Sequence, residues 1–266
     1  MIGDVADLLR CPRCTARMLL PAPGTLGCST GHRFDIGRQG HVNLLSRPAP
    51  ANADTAAMVQ ARERHLRRDE HDAVRQLLVA RSGPTVLDAG CGPGWYFSAL
   101  PATTRVVGLD LSVAAARRAA RVRPGAGVLV TDLRDPLPVA DAAVDTVWSV
   151  FAPRPVDEFA RVLRPGGSVL VVLPARDHLT ELVDAGLVIG QLADKEERML
   201  AQFGAAFRAI DRQATRVVVE ATPDRVADVV AMGPSAHHRT AEQTADRYGE
   251  LPAAMTISLV LHEFRR

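Results

Sequence analysis

The sequence predicts an α/β fold: a doubly wound, parallel sheet with a small metal-binding module ahead of it. Three observations predict it. From about residue 84, short apolar strands alternate with helical stretches. Three of those strands end in an acid (Asp88, Asp110, Asp132), and the first runs into a glycine-rich turn. Three of the four cysteines fall within the first 28 residues.

Composition sets the limits. The chain has 266 residues, of which 47% are hydrophobic, enough for one large domain or for one domain with a small appendage. Disorder and collagen-like repeats are excluded. No apolar run approaches the ~18 residues of a membrane helix, and the start, MIGDVADLLRCPRC, lacks the apolar stretch of a secretory signal. A cytoplasmic protein with no membrane partner is expected. The net charge of +2 does not by itself point to nucleic acid. Lys195 is the only lysine, so every other cation is arginine, the better bidentate partner for phosphate. A GC-rich coding sequence produces the same bias, so arginine usage alone decides nothing.

The first segment reads Cys11-Pro-Arg-Cys14, then Cys28, then His32. In a cytosolic chain this spacing favours metal over disulfides. A CxxC turn supplies two ligands and the Cys28/His32 pair two more, closing a tetrahedral structural zinc site with no position left for water. The segment is poor in apolar residues, so the metal is expected to fold it. Arg33 to Leu45 reads as its closing strand, with Leu44 and Leu45 packed beneath. Residues 1–45 are therefore assigned to a zinc-binding module, and 46–80 to a linker and helical segment. Residues 46–57 are Pro/Ala-rich and unpatterned. Residues 58–80 return to helical spacing and carry Arg62, Arg64, Arg67 and Arg68, either an RNA-facing patch or a solvated helix face.

Residues 81–266 are assigned to the main domain. Thr85–Asp88 is the first strand, leading into Ala89-Gly90-Cys91-Gly92-Pro93-Gly94. Arg105–Asp110 is the second, followed by a helix at 113–122, and Gly127–Leu133 is the third. Val144–Ala152 is the fourth, and Ser168–Leu173 the fifth, after the turn Arg164-Pro165-Gly166-Gly167. Residues 176–206 read as a largely helical insertion beside the site. A β-rich run at 207–221, a helix at 223–232 and an alternating run at 255–262 complete a seven-stranded sheet.

Ligands of such sheets bind at the carboxyl ends of the strands. Gly90, Gly92 and Gly94 spell GxGxG after Asp88, not the GxGxxG that bares a helix terminus for pyrophosphate. S-adenosylmethionine (SAM) has no phosphate, and a compact glycine turn suits its methionyl end. Asp110 is placed to accept from two ribose hydroxyls, and Asp132 with the Leu133 amide to read an adenine edge. The three strand ends together indicate a class I SAM-dependent methyltransferase. Cys91 within the turn reads as a small packing residue.

With these residues in place, the sequence resembles the RlmA-type 23S rRNA (guanine-N1)-methyltransferases, and within them the actinobacterial branch associated with tylosin and mycinamicin resistance. The resemblance spans nearly the whole chain. It is carried by Cys11, Cys14, Cys28 and His32, by the segments 38–45, Asp88–Gly94, Val150–Arg154, Arg164–Gly167 and Asp177–Asp184, and by Val230–Ser235. It implies SAM as donor, with Pro93 among the cofactor-binding residues of the turn and His178 in the same pocket. It further implies a structural zinc, a 23S rRNA hairpin as partner, methylation of guanosine N1 in hairpin 35, and a homodimer. Two departures stand out. Asp69-Glu70-His71 replaces the family's Gly-His-Tyr, so that His71 takes the place of a cofactor-contacting tyrosine, and His41 replaces a tyrosine. The added acids near an expected RNA surface motivate an alternative: the same fold recruited to a small-molecule natural-product substrate. No catalytic base is legible. Trp148 or Phe151, after strand four, could stack on the target base or simply pack.

Overall fold

The computed structural model describes residues 2–50, 53–190, 194–233 and 251–266. Its centre is an eight-stranded sheet formed by β4 (Val42–Asn43), β5 (Thr85–Ala89), β6 (Arg105–Asp110), β7 (Gly127–Val130), β8 (Val144–Val150), β9 (Leu163–Pro174), β10 (Arg208–Glu220) and β11 (Ala254–Arg265), in the order 10-11-9-8-5-6-7-4. Strands β4 to β9 pair in parallel, and β11 runs antiparallel to both β9 and β10. The strand order reverses between β5 and β8, which places a ligand site at the carboxyl ends of β5, β6 and β8.

Both faces of the sheet are covered, so its central strands are apolar throughout rather than alternating. Leu87, Val107, Leu109, Leu129 and Val169 pack on one face with Phe159 of α4 (Val156–Val162) and Met199 and Phe203 of α6 (Lys195–Phe203). Val86, Val106, Val128, Val130 and Leu170 pack on the other, with Val74 and Leu78 of α2 (Asp72–Ala80) and Val226, Val229 and Val230 of α7 (Pro223–Met232). Helix α3 (Val113–Val122) is capped by Ser112, whose hydroxyl accepts from the Ala115 amide at 3.2 Å. Its buried side is alanine only (115, 116, 119, 120), which lets it lie close to the sheet.

A three-stranded sheet of β1 (Met18–Ala22), β2 (Thr25–Cys28) and β3 (Arg33–Asp35) forms the amino-terminal ribbon. Met18, Leu26 and Phe34 share one core with Val139 and Leu129 of the main domain. The 3-10 turn at Ile2–Leu8 joins them, with Val5 against Gly127 of β7.

Five expectations need correction. Among the described residues the sheet has eight strands, not seven. Val42–Asn43, expected to close the ribbon, instead pairs with Leu129–Val130 of β7 and covers what would be an open edge. The helical stretch at 58–80 is two helices, α1 (Ala56–Leu66) and α2, separated by a 3-10 turn at Asp69–His71. The turn before strand five is absorbed into β9: Gly166 has φ +78°, and the pairing with β8 shifts register there. Finally, the arginines at 62, 64, 67 and 68, on α1 and just past its end, do not form an open patch. Arg64 and Arg68 pair with the buried Asp228 of α7 at 2.6 Å each, Arg62 pairs with Asp54, and Arg67 alone of the four is exposed without a described partner. Part of the segment 230–235, from Pro234 on, lies outside the described residues.

Candidate metal centre and cofactor cleft

The ribbon gathers Cys11, Cys14, Cys28 and His32 so that their ligand atoms lie within 4.8 Å of one another. Cys14 Sγ and Cys28 Sγ are 3.7 Å apart, and His32 Nδ1 lies 3.5 Å from the sulfurs of Cys11 and Cys28. A tetrahedron with Zn–S bonds of about 2.3 Å and Zn–N of about 2.0 Å has edges of roughly 3.5–3.8 Å. These three separations match the edges of such a tetrahedron. Thr30 was not foreseen: its Oγ1 lies 2.8 Å from Cys14 Sγ and 3.1 Å from Cys28 Sγ, a hydroxyl donor to the thiolates.

The second site is a cleft of about 1860 Å³ at the carboxyl edge of the sheet. Gly90, Gly92 and Pro93 of the turn line it, as do Asp110, Asp132 and Leu133 from the strand ends and His71 and His178 from the helical side. Asp88 and Gly94 lie behind that wall. Gly94, at φ +81°, leaves a Cβ no room: it would meet Phe97 Cζ at 2.7 Å and Ala119 Cα at 2.9 Å, so this glycine seats the turn on α3. Gly92, at φ +53°, faces open space, its nearest neighbour being Arg62 Cδ at 4.0 Å; its backbone is free to meet a ligand.

The acids differ in state. Asp110 fixes the turn: its Oδ2 accepts from the Gly92 amide at 2.7 Å and its Oδ1 from the Ser112 amide at 2.8 Å. Each oxygen keeps a lone pair for a ligand hydroxyl. Asp132 is held by Arg134, whose Nε and Nη2 donate to its two oxygens at 2.9 and 2.6 Å and keep its carboxyl below the usual range. Asp88 is buried and neither oxygen has a hydrogen-bond partner; burial, with Asp110 adding to it, pushes it up to about 8.

The turn at 69–71 is remodelled inward. His71 is buried, with Nε2 3.0 Å from His65 Nε2 and Nδ1 2.8 Å from Tyr96 Oη. Its ring lies edge-on to Phe151, 6.3 Å between centroids. Glu70 is also buried, 3.4 Å from Arg225, so its charge does not confront an RNA surface as expected. His178 Nδ1 accepts from the Ser258 amide at 3.2 Å, which leaves the proton on Nε2. Burial holds His65 and His178 down to about 4 and His71 well below its ordinary value, so all three are neutral.

Trp148 and Phe151 separate cleanly. Trp148 is fully buried and its Nε1 donates to Ser82 Oγ at 2.9 Å, which makes it a core residue. Phe151 is 44% exposed, lines the cleft and has φ +55°, a strained conformation that turns the ring outward. His65 and Tyr96 also line the cleft and carried no sequence signal; Arg154, which closes the segment Val150–Arg154, lines it too.

Comparisons with known proteins fit this geometry. Residues 9–50 match the family described as "RlmA, N-terminal", and residues 87–171 match "Methyltransferase domain". The 23S rRNA (guanine(748)-N(1))-methyltransferase of Streptomyces fradiae is 39% identical over 97% of this chain and 96% of its own length. The chain belongs to the RlmA-type methyltransferase family. A Micromonospora griseorubida protein assigned to the same enzyme class is 38% identical over 100% of this chain and 99% of its own. The malonyl-[acyl-carrier protein] O-methyltransferase of Enterobacter lignolyticus is 35% identical over only 47% of this chain. The small-molecule alternative finds no support, since the end-to-end relatives named here are rRNA enzymes.

As an RlmA-type methyltransferase the protein uses SAM, and the residues present fit it. The cofactor is cationic at its sulfonium and ammonium, and the unpartnered Asp88 behind the turn is a buried acceptor in need of positive charge. The Cys3His set fits a structural zinc equally well. Among the described residues no helix is long and apolar enough to cross a membrane.

Proposed function

We propose that this RlmA-type enzyme transfers the methyl of SAM to N1 of a guanosine in hairpin 35 of 23S rRNA, at the position named for its Streptomyces relative. The observation that carries the reading is the end-to-end likeness to that enzyme, zinc ribbon included. The cleft supports it: ligand pockets typically span about 300–1,000 Å³, and 1860 Å³ leaves room for a nucleobase beside the cofactor.

In this reading Gly90, Gly92, Pro93 and Gly94 shape the turn that receives the methionyl end. Asp110 accepts from the ribose, Asp132 and Leu133 frame the adenine, and Asp88, His71 and His178 complete the pocket. SAM supplies the electrophilic methyl. The chain's task is to hold the guanine, turned out of its loop, in line with it. Phe151 offers the exposed ring on which such a base stacks. N1 must lose its proton near the moment of attack. His65 and His178, held at about 4, are weak proton acceptors, and neither is assigned that role.

The ribbon at residues 1–45 is proposed to grip the hairpin, and two copies to form the RNA cleft as a homodimer. A cytoplasmic location and tylosin-type macrolide resistance are proposed with that substrate. The test is transfer from labelled SAM to unmodified large-subunit rRNA, then reverse transcription across hairpin 35. A methyl at N1 blocks the Watson–Crick edge, so a strong stop at the guanosine is expected. Labelled rRNA with no stop in that hairpin refutes the assigned position.

A further inference from the structure

Two cations stand in the cleft without an acid. Arg154 lies just past β8; its Nη1 donates to the Ala152 carbonyl at 3.1 Å, and its Nε is buried with no hydrogen-bond partner. Lys195, the only lysine of the chain, opens α6 and lines the same cleft. The three acids around Lys195 are each taken by an arginine: Asp194 by Arg198 at 2.8 Å, Glu196 by Arg212 at 2.7 Å, and Glu197 by Arg176 at 3.7 Å. Among the described residues neither Arg154 nor Lys195 forms an ion pair. Burial lowers the proton affinity of both, the field of Arg154 adds to the effect on Lys195, and no carboxylate offsets either. Two partly desolvated like charges are costly unless an anion joins them. The first turn of α6 has no side-chain cap, which adds the positive end of a helix dipole.

We propose that Arg154 and Lys195 form an anion seat in the cleft that takes a backbone phosphodiester flanking the target nucleotide. This rests on the rRNA reading above. A nucleotide turned out of its loop carries its phosphates with it, and phosphate contacts are what fix register on a nucleic acid. Phe151, three residues before Arg154, offers the adjoining surface for the base. The other anion that enters the cleft is the SAM carboxylate. SAM bears a net positive charge, so a pair of cations beside it would repel the cofactor as a whole, whereas a phosphodiester has no such conflict.

The test compares the wild-type protein with the double variant Arg154→Gln/Lys195→Gln on a synthetic hairpin-35 RNA. Loss of two charge-assisted contacts is expected to weaken RNA binding roughly ten- to a hundredfold, seen in KM more than in kcat. The slope of log affinity against log salt should fall by about 0.7 for each lost contact. SAM affinity by calorimetry should stay within about twofold. Replacing the flanking phosphodiester with a neutral methylphosphonate should weaken wild-type binding and leave the variant unaffected. Unchanged RNA affinity and salt slope, with wild-type methylation intact, overturn the seat alone. A loss of SAM affinity instead assigns the pair to the carboxylate and overturns the phosphodiester. If the wild type neither binds nor methylates the hairpin, the substrate reading fails, and the single lysine resonance of 13C-lysine-labelled protein decides the seat. A shift with millimolar inorganic phosphate that Arg154→Gln abolishes upholds it; no shift overturns it.

Discussion

Asp88 shows how one buried carboxyl can report on the cofactor. Held near 8 and without a partner, it is mostly protonated at pH 7. A cationic ligand nearby favours the ionised form. SAM binding at pH 7 is therefore expected to release a proton, up to one per site. Calorimetric enthalpies in phosphate and Tris should differ in proportion to the buffers' ionisation enthalpies, and Asp88→Asn should remove the difference. Equal enthalpies in the two buffers for the wild type would show that Asp88 does not sense the cofactor. Asp110 is bound to both the turn and the α3 cap. Asp110→Ala removes the proposed ribose acceptor and frees the Gly92 amide together. A loss of about tenfold or more in SAM affinity is expected, since hydrogen bonds to a charged group contribute about 1.5–3 kcal/mol; an unchanged calorimetric affinity would exclude the ribose role.

At the scale of elements, two clamps hold the site. Asp228 on α7 joins Arg64 of α1 and Arg68 just beyond its end, and both helices wall the cleft. Removing one partner of a buried pair strands the others, a cost of about 3–5 kcal/mol; Arg64 is half-exposed, so Asp228→Ala should cost about 2–3 kcal/mol. Urea titration measures it, and a midpoint equal to wild type would mean the clamp contributes nothing. The zinc centre is the second clamp. Cys28→Ser is expected to release the metal and raise amide exchange in β1 to β3. The ribbon's inner residues join the main core, so β5 to β9 should stay protected. Full metal stoichiometry in the variant would refute Cys28 as a ligand.

For the whole molecule, the buried histidines set the acid limb of stability. His65 and His178 sit at about 4 when folded, against about 6.5 in an unfolded chain. Between those values the unfolded state binds protons that the folded state does not. Stability is therefore lost as pH falls from 6.5 towards 4, by about 1.4 kcal/mol per pH unit for each such group. Asp88 works in the opposite sense over roughly 3.8 to 8, because it stays protonated in the fold, and burial raises Asp110 in the same direction, but these two groups stand against His65, His71 and His178. Tm should fall from pH 6.5 to pH 5, and more steeply in the wild type than in His65→Gln. Parallel curves would show that His65 does not contribute; the zinc ligands are common to both proteins and cancel.

The sequence by itself determined the zinc ligands, the alternating sheet and the acids at its strand ends. These are set by local spacing: a CxxC turn, an apolar run of strand length, and a GxGxG turn each satisfy their chemistry within a few residues. It also determined the family, through motifs spread over most of the chain. Only the tertiary structure decided what distant residues do to one another. Val42–Asn43 became the eighth strand because an open edge on β7 needed a partner, which no local pattern declares. Arg64 and Arg68 are tied down because Asp228, some 160 positions away, is buried beside them. His71 sits within a network closed by His65 and Tyr96, and Glu70 turned inward to Arg225. Trp148 and Phe151, three residues apart, were indistinguishable in sequence; burial made one a core residue and strain turned the other into the cleft. Burial and long-range pairing are properties of the packed chain, and they assigned the parts of the site that spacing could not.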